Sequence, residues 1–180
     1  NVVLTVIQLL LVNLAMDTLA AIAFGSEPAL KEYMKDKPIP RSASIISKDM
    51  LVEIVISALY ITVACLGILF IPAIRNRFGD VDVTYLKSAV FATFMMAITF
   101  NGFNARTSHI NVLEGIGRNK SFLLVMFSIF ALQFVFVTFG GSVLSVEALS
   151  PSAWLICIVM AVLVVPIDMV RKAIMGKSAK

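Results

Sequence analysis

The sequence predicts an all-α membrane protein, a bundle of five transmembrane helices. Three observations carry this. The 180 residues are 59% hydrophobic, whereas soluble domains run nearer 45–50%. Mean hydropathy is +0.96. Five apolar stretches, residues 1–24, 50–74, 88–104, 121–141 and 153–170, each approach the ~20 residues that cross a bilayer as a helix. Little is left over for a soluble domain. Residues 1–175 are read as one transmembrane domain and 176–180 as a cytoplasmic tail.

The first stretch begins at once, at Asn1, with no charged segment or small-residue cleavage site before it. That argues against a signal peptide and for a piece of a longer protein. The connection 25–49 is polar and holds Pro28, Pro38 and Pro40, so its backbone is expected to be mostly non-helical. Ser47 to Asp49 lead into the second helix. The loop "RNRFGDVDVTYL" joins the second and third, and "ARTSHINVLEGIGRNKS" forms a turn before the fourth. Gly140 and Gly141 end the fourth helix. In "SPSAW", Ser150 or Ser152 is the expected N-cap of the fifth, with Pro151 in its first turn. Trp154 suits an interfacial aromatic belt. Pro166 should kink the fifth helix near its inner end.

Net charge is +4, and most of the 15 Lys and Arg lie in connection 25–49, in connection 105–120 and after the last helix. By the positive-inside rule these are cytoplasmic. The first helix then starts on the outer face. The basic residues interleave with Glu27, Glu32, Asp36 and Asp49 as in an ordinary solvated loop, and no nucleic-acid partner is implied. Cys65 and Cys157 lie in separate apolar runs without metal-ligand spacing. His109, the single His, sits in a loop without a ligand set.

Three acids fall inside the apolar runs. Asp168 has Arg171 and Lys172 at i+3 and i+4, which reads as interfacial pairing. Glu53, near Lys48, can reach water by snorkelling. Asp17 differs: it stands about 15 Å before Glu27 at ~1.5 Å per residue, about mid-bilayer. An acid there costs about 2.5–3.5 kcal/mol on insertion scales and marks a functional site by default. Asn13 precedes it at i−4, on the same face. Amide and carboxylate together offer two or three oxygens to a hard cation; calcium takes six to eight, so the pair is at most half a site. Asn101 and Asn104 are a second pair, read either as lining the same interior or as joining helices by hydrogen bonds. Gln8 and Gln133 read as helix–helix contacts.

Several separated motifs resemble the P-type calcium-transporting ATPases. "QLLLVNLAMDTLAAIAFGSEP" is similar to that family's sixth transmembrane helix, and "KPIPRSASIISKDM" to the loop after it. "FNGFNARTSHINVLEGIGRNKSF" resembles the eighth helix and following loop, and "FVTFGGSVLSVEALSPSAW" the ninth helix and the turn into the tenth. The detail is nearest the plasma-membrane branch and its bacterial relatives. The resemblance implies the last five of ten helices of an ATP-driven calcium export pump in the plasma membrane. ATP, magnesium and the phosphorylated Asp would belong to upstream cytoplasmic domains, so this chain alone should be inactive. The upstream helices, those domains and the lipid bilayer would be its partners.

The same resemblance makes Asn13 and Asp17 calcium ligands. Met16 stands where two-site pumps have a Thr ligand, and Ile98 where they have a Glu, if Asn101 is the Asn of that motif. Both changes remove oxygens, so one calcium per cycle is expected. Animal plasma-membrane pumps of that family carry a long calmodulin-binding extension after the last helix; the few residues here are read as too short for one, so a bacterial relative or a shortened chain is expected. The residues alone leave open a pump for manganese or sodium, a free-standing channel or carrier, and a purely structural bundle.

Overall fold

The computed structural model describes residues 3–26, 40–41, 44 and 46–178, with side chains to Met175. Most of connection 25–49, including Glu27, Lys31, Glu32, Asp36, Pro28 and Pro38, therefore lies outside the described residues, as does the end of the tail. Five helices are long and apolar enough to cross a membrane, and the described residues contain no strand. The protein is an integral, multi-pass membrane protein.

Helix α1, Val6–Gly25, starts on a capping box. Gln8 N–H donates to Thr5 Oγ1 (3.3 Å), and Thr5 N–H donates to Gln8 Oε1 (2.8 Å). Its middle, Val12–Met16, is a π-helical turn in which Asp17 N–H reaches back to Val12 O. Hydropathy does not reveal such a turn, because it needs neither Pro nor Gly. The Thr18 hydroxyl donates to Leu14 O at 2.6 Å, adding a side-chain bond beside it.

Helix α2, Lys48–Phe70, is capped by Ser47, whose Oγ accepts from Met50 N–H at 3.1 Å. The apolar run continues to residue 74, but the helix stops at Ile71. The residue before a proline is pushed out of the helical region, and Ile71 is extended at φ −89°, ψ 111°. Pro72–Arg75 then make a separate turn of helix.

Helix α3, Val83–Ala105, begins earlier than hydropathy suggests. Asp82 caps it, accepting from Tyr85 N–H at 2.8 Å, and the polar first turn conceals the start. α3 is the centre of the bundle. In its most apolar window 61% of residues are buried, against 22–33% for the other four spans. It packs on α2, on α4, Lys120–Phe139, and on α5. Ala89 and Ala92 of α3 and Ala153, Cys157 and Ala161 of α5 are all buried, small residues of the kind that let packed helix backbones approach. The Cys157 thiol donates to Ala89 O at 3.5 Å, so it behaves as a small packed residue.

Asn119 caps α4, accepting from Phe122 N–H at 2.8 Å. The turn before it needs Gly115 at φ +68°, a conformation that L side chains rarely adopt. α5 runs as Pro151–Val162 and Val164–Ser178 on either side of Leu163. Pro166 explains the break, since its ring removes the bond to Val162 O and crowds that carbonyl. Ser150, not Ser152, is the N-cap, accepting from Ala153 N–H at 3.3 Å. Trp154 is buried rather than lying open at an interface, its ring 5.2 Å from that of Phe134 on α4. Leu59, Leu124, Phe127, Phe139 and Leu155 are among the large apolar residues left exposed, as lipid contact demands.

Candidate cation site

α1 packs on α4 through one face, which buries Gln8, Val12, Met16 and Ala23. Gln8 Nε2 donates to Leu144 O at 2.9 Å beyond the end of α4, and Phe24 meets Phe122 at 6.1 Å near the other end. Asn13 and Asp17 lie off that face and are exposed. Asn13 belongs to the π turn and Asp17 is the residue after it. Neither side chain has a hydrogen-bond or ion-pair partner among the described residues. The same residues contain no group of three or more His, Cys, Asp and Glu able to hold a metal. The pair offers two side chains and two or three oxygens, fewer than the six to eight of a full calcium shell.

Met16 turns the other way. It is buried against α4, its sulfur 4.0 Å from Gln133 Nε2. Ile98 is half-buried against the core.

Asn101 and Asn104 are brought together with one another, but no contact among the described residues joins them to Asn13 or Asp17. Asn104 is fully buried. Its Nδ2 donates to Asn101 Oδ1 (3.0 Å) and to Val164 O on α5 (3.2 Å). Ser57 of α2 also donates to Asn101 Oδ1, at 3.0 Å. The two amides therefore bond α2, α3 and α5 to one another.

Below that junction lies a buried ionic cluster. Asp168 pairs with Arg171 and, at 3.0 Å, with Lys172, the i+3 and i+4 partners legible in the sequence. Arg171 also reaches Glu53 of α2 at 2.9 Å. Glu53 is thus held by α5, with its side chain still 20% exposed. Lys172 Nζ donates to Asn104 O and Thr107 O, both at 2.7 Å. These carbonyls lie at the C-terminal end of α3, where the last turn of a helix lacks intrahelical donors. A lysine from one span thus caps another. Nothing in the local sequence signals this, since the partners are more than sixty positions apart.

In the turn between α3 and α4, the Arg106 guanidinium donates to Val112 O (3.1 Å) and to Glu114 O and lies 5.7 Å from the Phe122 ring centre. His109 Nδ1 lies 2.9 Å from Glu114 Oε2, an ion pair when the imidazole is protonated.

Residues 1–174 match the family described as "Cation transporting ATPase, C-terminus". "Calcium-transporting ATPase 2" of Cryptococcus neoformans is 34% identical over 92% of this chain and 12% of its own length. "Putative calcium-transporting ATPase 11, plasma membrane-type" of Arabidopsis thaliana is 37% identical over 87% of this chain and 16% of its own. "Plasma membrane calcium-transporting ATPase 3" of Homo sapiens is 33% identical over 88% of this chain and 14% of its own. The chain thus spans only a small part of the length of each relative. Five spans in this order, matched over nearly all of the sequence, establish that the chain belongs to the cation-transporting ATPase C-terminal family.

Proposed function

We propose that the chain is the C-terminal membrane portion of an ATP-driven calcium export pump, and that Asn13 and Asp17 supply part of its intramembrane calcium site. One observation carries the site. A carboxylate and an amide stand about half-way along a membrane-spanning helix, off its packed face and without partners among the described residues. An acid so placed is costly unless a cation or a polar cavity meets it. The relatives' names, calcium-transporting ATPases, favour calcium as that cation.

Calcium here is cargo. Asp17 supplies its charge and up to two oxygens, and Asn13 adds an amide carbonyl one turn away. Remaining oxygens come from other helices of the longer polypeptide, whose cytoplasmic domains bind ATP and magnesium. Movement of α1 relative to those helices changes the oxygen shell, which switches affinity between the two faces of the membrane. Met16, turned away toward α4, adds no oxygen to a second site. One calcium per cycle follows. Connections 25–49 and 105–120 and the C-terminus face the cytoplasm, with the pump in the plasma membrane.

The test is Asp17→Asn in the full-length pump. It should abolish calcium transport and calcium-dependent phosphoenzyme while leaving protein abundance unchanged. Retention of both activities would remove Asp17 from the site.

A further inference from the structure

We propose that Gln133 is a positioning residue for the cation pair on α1, acting through Met16, an inference that rests on the site reading above. Gln133 lies in the middle of α4 and is 1% exposed. Its Nε2 donates to Thr99 Oγ1 and to Met95 O (3.3 Å) on α3, and reaches Met16 Sδ on α1 at 4.0 Å. Three spans therefore meet at one amide. The Thr99 hydroxyl donates its own proton to Met95 O at 2.9 Å, so it presents a lone pair to Gln133. Nε2 has two protons for three acceptors: one goes to Thr99 Oγ1, and the other is shared between Met95 O and the Met16 sulfur.

The other half of the amide is unsatisfied: Oε1 is buried and accepts no hydrogen bond from the described residues. A Met or Leu of similar size would fill this apolar position without burying an orphan oxygen. An amide kept under that penalty points to work done by its donor side. The work is at Met16, which adjoins Asp17 in the chain and closes the π turn that carries Asn13. A π turn is a rare, weakly favoured helix geometry that often sits at functional sites. Val12 and Met16 are its buried residues, so α4 supports it from one side. Sulfur is a weak acceptor, and the contact sets the rotation of the turn more than it holds the helix down. The helix is held at its ends by Gln8 on Leu144 O and Phe24 on Phe122. Rotation in the middle moves Asn13 and Asp17 together.

The experiment is a calcium titration of phosphoenzyme formation in membranes bearing the full-length pump. Gln133→Met keeps volume and removes the donor. It should raise the half-saturating calcium concentration about three- to tenfold, the range set by one lost hydrogen bond, with the maximal phosphoenzyme per pump unchanged. Met16→Leu keeps bulk and removes the sulfur. Combined with Gln133→Met, it should shift the midpoint no further than the larger single change. Thr99→Val removes one of the amide's two acceptors on α3 and should shift the midpoint in the same direction; it decides the matter if Gln133→Met does not fold. An unmoved midpoint in Gln133→Met, with Asp17→Asn inactive, overturns the positioning role and leaves the site reading intact. A lower maximum at an unmoved midpoint does the same, since it reports structural loss alone. Calcium-dependent phosphoenzyme persisting in Asp17→Asn overturns both.

Discussion

Asp168→Asn should loosen the inner end of the bundle, and the structure sets the size of the effect. The Asp168 carboxylate is 1% exposed, accepts a hydrogen bond from Arg171 Nε and forms an ion pair with Lys172 Nζ. Asn keeps the shape and one acceptor but removes the negative charge. Hydrogen bonds to charged groups contribute about 1.5–3 kcal/mol each, and breaking a buried ion pair costs about 3–5 kcal/mol through the charge left behind. Arg171 retains Glu53, and Lys172 retains two α3 carbonyls. The loss should therefore fall near the lower bound, about 3 kcal/mol. At about 2–4 °C per kcal/mol for a chain of this size, the melting temperature should fall by roughly 6–12 °C. Thermal unfolding of the purified protein in detergent, followed by circular dichroism, measures this. Adding Lys172→Met to Asp168→Asn removes the orphaned charge, so the double variant should lose less than the sum of the singles. A fall below about 2 °C for Asp168→Asn, or strict additivity in the pair, would refute the reasoning.

Other predictions use different parts of the molecule. Calcium bound per phosphoenzyme in the full-length pump should be near one; a value near two would contradict the single-site reading of Met16 and Ile98. Ser47→Ala and Asn119→Ala each remove an N-cap acceptor and should cost about 0.5–2 kcal/mol in detergent unfolding. A Cβ added at Gly102 would meet the flexible Met126 Cε at 3.1 Å. Gly102→Ala should accordingly be tolerated, whereas Gly102→Leu should overpack the α3–α4 contact and cost about 1–3 kcal/mol, read by the same unfolding assay. Gly115→Ala should lower stability by about 1 kcal/mol, because its φ of +68° is strained for any residue with a Cβ; an unchanged midpoint would show that the turn rearranges freely.

How much was legible in the sequence varied with the range of the interaction. Caps at Ser47 and Ser150 and the break before Pro166 are written locally, because each depends on residues within one turn of helix. So is Asp168 with its i+3 and i+4 partners. The start of α3 was hidden by a polar first turn, and the end of α2 by an apolar run that continues past Pro72. Asn13 and Asp17 stood out from composition alone, since an acid amid lipid-soluble residues is anomalous wherever the chain folds. Their setting in a π turn was not legible, because a widened turn is chosen by what packs on it.

Sequence by itself determined five spans and their family, since a bilayer of set thickness demands about twenty apolar residues per crossing and each run satisfies that alone. Tertiary structure decided which polar groups meet: Glu53 with Arg171, Lys172 with the end of α3, Gln133 with Thr99 and Met16. In lipid a buried polar group with no partner on its own helix must find one on another. Which helix lies beside it is a property of the packed bundle, not of the residues next to it in the chain.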